Sequence, residues 1–331
     1  MTTKPLADLS YRNYAGPSTE RHLAWWTIAR TLLTTNLKKR ALWVLSALSG
    51  WWYFVIMIII YVFEQIAAQS NGLIGGGDRF NMFIDRFIWR DQFVAAVGFQ
   101  QLICIFLAML AGAGSIANDF RTNALLVYLA KPCTKFDYIF GKWLGVFLSL
   151  CVAYSLPHLF FYLYGMLSYG DYDFFTQDRS LGIRLLVMIP LMAAFYASIA
   201  IGVSSITRQG RIAGVILAAM FFLTNFFTKT VEVAIVQRSF VQGKSTASTP
   251  TGLLIPYYSS IDGAMYSLSK SVLRYDGSKS IFGTPNGRHD DGPISSVPAA
   301  PIWLPITFMV AAVGLGFGLA VKKVRAVEVV Q

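Results

Sequence analysis

Residues 116–142 read IANDFRTNALLVYLAKPCTKFDYIFGK, a charged amphipathic stretch held between two long apolar runs. Apolar runs of this length are membrane spans, because about 20 helical residues cover about 30 Å of hydrocarbon. The stretch between them is therefore a loop pinned at the membrane surface. Reading outward from it fixes the class of the whole chain.

Of the 331 residues, 55% are hydrophobic and 14% charged, with mean hydropathy +0.52. Soluble domains carry roughly 25% charged residues. Here the deficit falls in discrete blocks, and backbone polar groups inside lipid must pair within the segment, so the blocks are helices. The sequence predicts an all-α polytopic membrane protein with six spans, near 42–63, 93–113, 139–166, 183–206, 212–236 and 302–321. Residues 1–41 form an N-terminal segment, 42–321 the transmembrane domain and 322–331 a tail. No small-residue cleavage site follows a short apolar core, so the first span is expected to act as the insertion signal.

Charge sets the expected orientation. The segments 1–41, 115–142, 207–211 and 321–331 together hold sixteen Lys/Arg and five acids, whereas the opposite loops hold eleven of each. The short loops alone carry the same bias, which places both termini in the cytoplasm. The pI of 9.6 then reflects topology and anionic lipid headgroups rather than nucleic acid.

Residues 20–40 pattern as an interfacial helix, with Leu23, Trp26, Leu33 and Leu37 near one face and Trp25 and Trp26 suited to the headgroup layer. Simple anchoring and an elbow that also touches a soluble partner are both open. In the first outer loop, Gly75–Gly77 precede a helical stripe of Phe80, Phe83, Ile84, Phe87 and Ile88. The last outer loop, 237–300, is long; it predicts a helix near 259–274 and an irregular stretch over 283–301, and it either caps an exit path or forms a mobile surface. Glycines four apart at 141/145, 210/214 and 314/318 allow close helix packing, within the bundle or at a dimer seam.

No enzymatic constellation appears. His22, His158 and His289 fall in three separate regions, and Cys104, Cys133 and Cys151 lack metal-ligand spacing. Gly243-Lys244-Ser245 lacks the first glycine of a phosphate loop, since Arg238 stands there. His158 follows Pro157 in the third span and reads either as a packed histidine or as a lining residue on a substrate path. Lys229 and Glu232 can pair at i, i+3. Arg184 and Glu64 sit at span ends, where they snorkel.

Within the opening stretch, Asp119, Arg121 and Asn123 begin a helix expected over 119–129, Leu125, Leu126 and Leu129 give it an apolar face, and Pro132 breaks it. Lys135, Asp137, Tyr138, Gly141 and Lys142 lead into the next span. A plain connector with lysines at the headgroups accounts for the basic residues, but not for the length or the helix–proline–span order.

The pattern Asp119, Asn123, Leu125, Leu126, Pro132, Lys135, Tyr138, Gly141, Lys142 resembles the first cytoplasmic loop of the type-2, exporter-like permease subunits of ABC transporters. The motif covers about 25 residues; six spans, cytoplasmic termini, an elbow helix and a long last outer loop extend the likeness over the chain. Two departures are Asp119 where the family often has Glu, and Asn123 where it often has Gly. The resemblance implies a plasma-membrane exporter with two soluble ATPase subunits and a second permease chain, identical or related. ATP and Mg would bind the ATPases, with no cofactor on this chain. The 119–129 helix would couple to the ATPase, with Arg208 and Arg211 of the 207–211 turn as a second contact. Two other classes compete: a non-transporting mechanotransmitter acting through 237–300, and an intramembrane enzyme, which His158 alone does not furnish.

Overall fold

The computed structural model describes residues 24–69, 87–124, 134–170, 174–175, 178–242, 251–275 and 300–323. Leu125, Leu126, Pro132 and Cys133, most of the first outer loop, and 276–299 of the last one lie outside them, as do His22 and His289. The described residues form eleven helices: α1 (Ala24–Leu37), α2 (Arg40–Ser49), α3 (Trp51–Gln69), α4 (Trp89–Gly112), α5 (Ala117–Arg121), α6 (Lys135–Ser168), α7 (Leu181–Ile206), α8 (Gly210–Gln242), α9 (Thr251–Tyr258), α10 (Ile261–Val272) and α11 (Trp303–Lys323).

Five segments are long and apolar enough to span a membrane, and α2 with α3 makes a sixth if a 45° bend counts within one span. The span expected over 42–63 is thus broken at Gly50. The reason lies on the neighbouring helix. Pro157 inside α6 has no N–H to give, which frees the Ala153 carbonyl four residues earlier. Ser46 Oγ of α2 donates to that carbonyl at 2.6 Å. One turn on, Gly50 passes so close that a Cβ there would lie 2.9 Å from Pro157 Cβ. The bend in one span is fitted to the proline of another.

Two other close approaches set the bundle. A Cβ on Gly141 would sit 2.6 Å from the Trp25 carbonyl, and one on Gly145 would sit 2.9 Å from that of Ala29. The first glycine pair therefore seats α1 on α6, which places this N-terminal helix on the bundle itself. On the far side, Gly202 of α7 meets Gly316 of α11, where a Cβ on Gly202 would lie 2.9 Å from Gly316 Cα. Gly314 and Gly318 face open space. The apolar windows of α4 and α7 are each 67% buried, against 28% for α8 and 22% for α11. The core therefore sits around α4 and α7, while α8 and α11 present apolar flanks suited to lipid.

The helix expected near 259–274 is α10, but it does not lie on a surface. Every residue from Ile261 to Lys270 is buried. Gln101 Nε2 donates to the Asp262 carbonyl at 2.8 Å, and Gln101 lies about 18 Å along α4 from Trp89 at 1.5 Å per residue. Gly98, on the same helix, makes room for the Tyr266 ring. The start of α10 is therefore tucked between helices beside the middle of α4, and Lys270 near its other end lies over the rings of Tyr266 and Tyr275. Span-end charges are paired too: Arg184 binds Asp178 at 2.8 Å, and Glu64 accepts from Tyr169 at 3.3 Å. They do not merely snorkel. Lys229 and Glu232 form the expected i, i+3 pair at 3.0 Å.

Candidate functional site

The short helix α5 follows α4 after a single tight turn and is held by three other helices. Ser204 Oγ of α7 accepts from the amides of Ile116 and Ala117, both at 3.0 Å, and donates to the Ala113 carbonyl at 2.8 Å. One hydroxyl thus closes the α4–α5 turn and satisfies amides at the start of a helix, which have no partner within it. Asn118 Oδ1 accepts from Gly210 N at the start of α8 at 3.3 Å. Asp119 Oδ2 accepts from Tyr138 Oη at 2.7 Å and from Lys142 Nζ at 2.8 Å, both on α6. The Lys142 side chain is only 9% exposed, so this is a buried, charge-assisted contact rather than a surface ion pair. It joins the two ends of the diagnostic loop, the acid at its start and the Gly-Lys at its close.

Over its described part, the helix expected over 119–129 is interrupted after its first turn. That turn stops at Arg121, Asn123 takes a left-handed conformation with φ 54, and Ala124 is helical again, while 125–129 lie outside the described residues. Asparagine tolerates that conformation better than most residues, which terminates the helix locally. Beyond the loop, α6 begins with a capping box: Thr134 Oγ1 accepts from Asp137 N at 3.1 Å while Asp137 Oδ2 accepts from Thr134 N at 3.1 Å.

Beside α5 lies an open cleft of about 690 Å³, walled by α1, the last turn of α4, α5, α6 and the α7–α8 turn. It brings together Asp119, Arg121, Lys142 and Arg211 of the residues read from sequence, and adds Asn36, Lys39 and Asn118. Asn36 Nδ2 donates to the Ala111 carbonyl and to Ser149 Oγ, at 3.2 and 3.1 Å. Lys39 Nζ donates to Asn36 Oδ1 at 2.8 Å and to the Leu110 carbonyl at 2.9 Å. These contacts tie the α1–α2 corner to the end of α4. Burial pulls the Lys39 pKa below the ordinary lysine value. Asn123 and Arg208 are exposed and outside the cleft, and Lys135 is exposed at the first position of α6.

His158 stands elsewhere. It is 1% exposed, its Nδ1 lies 2.7 Å from the Tyr154 carbonyl, and its ring packs against Tyr53 and Phe93. It lines neither this cleft nor the apolar groove of about 350 Å³ beside Gly50 and Pro157. Its Nδ1 contact is to its own helix, and Nε2 has no hydrogen-bond partner among the described residues.

Sequence reasoning missed Ser204, Asn36 and Lys39 as parts of this surface. Ser204 carries no signal at all within an apolar span. Asn36 gives a faint one, as a polar residue on a helix otherwise rich in Leu and Thr at that end.

A helical bundle whose loop helix is bonded to three spans and continuous with a fourth is a polytopic membrane protein built to keep that loop in register with the spans. The profile described as ABC-2 family transporter protein matches residues 26–321. The chain belongs to that family, and is a multi-pass permease component of an ABC transporter. A search of curated proteins returned no match.

Proposed function

We propose that this chain is the membrane half of an ATP-driven exporter, and that soluble ATPase subunits dock at α5. Two ATPases and a second permease chain, identical or related, complete the assembly. The observation that carries this reading is the set of bonds around α5. A push on a helix of five residues is useful only if it reaches the spans. Here it reaches α6 through Asp119, α7 through Ser204 and α8 through Asn118, while α4 runs into α5 directly. Among the described residues, Arg121, Asn123 and, across the turn, Arg208 are exposed and free to meet a partner, with Arg211 beside them on the wall of the cleft. Both termini lie on the same side of the membrane as the ATPases. ATP and Mg act on those subunits, and rocking of the bundle opens it to alternate faces.

Arg121→Ala is the cleanest test, because no described residue pairs with Arg121 and its loss leaves the internal bonds in place. The expected result is a chain that folds and still inserts, but that stimulates its ATPase roughly tenfold less, a loss of about 1.4 kcal/mol of productive contact. Full stimulation by both Arg121→Ala and Arg208→Ala would overturn docking at this end.

A further inference from the structure

The cleft beside α5 has more positive charge than its own carboxylate can balance. Among the described residues that line it, Asp119 is the one acid, and that carboxylate is already engaged by Lys142 and Tyr138. Lys39, Arg121 and Arg211 also line the cleft. Among the described residues no carboxylate pairs with any of the three. Lys39 is the telling one. Its ammonium is drawn partly out of water yet contacts only neutral acceptors, the Asn36 amide oxygen and the Leu110 carbonyl. A partly desolvated charge without a counter-charge is costly and attracts an anion. The start of α8 opens at Gln209–Arg211 on the same cleft, and its helix dipole adds to the same sign.

The remaining walls describe the rest of the ligand. Leu32 of α1 and Met109 and Leu110 in the last turn of α4 are apolar and belong to segments at the membrane boundary. A volume of about 690 Å³ is far larger than a phosphate ion requires. It suits a group that joins an anionic phosphate to an apolar chain.

We propose that this cleft binds the phosphate headgroup of an anionic membrane phospholipid, held by Lys39 and Arg211, with the acyl chains leaving over Leu32 and Met109. The lipid fills the wedge between α1 and the α7–α8 turn and so steadies the surface against which α5 is seated. The site is defined by this chain alone and does not depend on a docked ATPase.

The experiment uses the full purified chain without ATPase, in neutral detergent, and follows thermal unfolding as lipid is added. Phosphatidylglycerol is expected to raise the unfolding temperature saturably, and phosphatidylcholine and inorganic phosphate are not. Arg211→Gln, at an exposed side chain, is expected to weaken the phosphatidylglycerol response roughly fivefold or more, the effect of one charge-assisted hydrogen bond. Lys39→Gln is expected to do the same, while Lys38→Gln, whose neighbouring charge lies outside the cleft, leaves the response intact. Equal responses to phosphatidylglycerol and phosphatidylcholine would overturn the site. Equal protection by inorganic phosphate would overturn the lipid as its occupant, and equal loss in Lys38→Gln would reduce the effect to diffuse charge.

Discussion

The two ends of the bundle each hold a short helix between the spans, and they hold it by different means. At one end α5 is fixed by polar groups that find partners: Asp119 with Lys142 and Tyr138, Ser204 with two amides, Asn118 with Gly210. At the other, α10 is fixed by burial. Thr228 Oγ1 meets Ser260 Oγ at 2.7 Å and Gln101 meets a backbone carbonyl, yet neither carboxylate oxygen of Asp262 has a hydrogen-bond partner among the described residues. A satisfied network gives one rigid arrangement, because any displacement breaks several bonds at once. A buried carboxylate without partners opposes its own placement. The first end is built to transmit, and the second is held by packing and by serine contacts such as Ser267 with the Ala300 amide, against the electrostatic cost of Asp262.

The sharpest way to break the comparison is to remove the central acid of the first end. Asp119→Ala leaves Lys142 buried with its charge uncompensated and strips Tyr138 of its acceptor. Breaking one side of a buried pair costs roughly 3 kcal/mol or more. The expected outcome is a clear drop in thermal stability of the purified chain, with Asp119→Asn falling between it and the parent. This makes Asp119 a poor residue for testing docking, since coupling and folding would be lost together. A change of under about 1 kcal/mol in Asp119→Ala would show that Lys142 finds another partner, and the rigid-end argument would fail.

The second variant acts on the other end through shape alone. A Cβ on Gly263 would collide with the Tyr257 carbonyl and stand 2.8 Å from Ser260 Oγ, the side chain that caps α10 by accepting from Gly263 N. Neither the backbone nor the cap has room to yield. Gly263→Ala is expected to cost about 1–3 kcal/mol as an overpacking change. It should also expose Tyr266 and its neighbours, which quenching of intrinsic fluorescence at that end would register. An undisturbed α10 would mean that its seat is looser than the packing around Gly98 and Gly263 indicates.

Much of this arrangement was legible in the sequence. The spans showed themselves because lipid admits only long apolar helices, and Gly141/Gly145 announced a close approach whose partner turned out to be α1. The loop motif pointed to Asp119, Tyr138 and Lys142 without revealing that they bond one another, because contact between residues 19 and 23 apart needs the return of the chain. Gly50 was invisible as a break, since a glycine in an apolar run is tolerated in a straight span and its bend depends on Pro157 of another helix. The buried position of α10 was hidden for a related reason. A segment containing Asp262 and Lys270 looks aqueous, and only the neighbouring Gln101, Thr228, Tyr266 and Tyr275 make its burial possible.

The smallest expected effect says most about the second end. Asp262 is 3% exposed; the Asn225 amide and the Lys229 ammonium lie near enough to favour its charge, though neither of its oxygens is in good hydrogen-bond geometry with a described donor. Lys229 already serves Glu232 at 3.0 Å, so its charge is shared. Its position at the start of α10 gives the carboxylate a favourable helix dipole of well under about 2 kcal/mol, against a desolvation penalty of several. Asp262→Asn keeps the size and removes the charge. It is therefore expected to leave thermal stability unchanged or to raise it slightly, within about 1 kcal/mol, where the same kind of change at Asp119 lowers it. The half-buried Asp119 and the buried Asp262 would then respond in opposite directions, because the first holds an ion pair and a hydrogen bond while the second has only looser contacts. A loss of stability in Asp262→Asn as large as that in Asp119→Asn would show that the Asn225 and Lys229 contacts bind this carboxylate, and the two ends would be rigid in the same way.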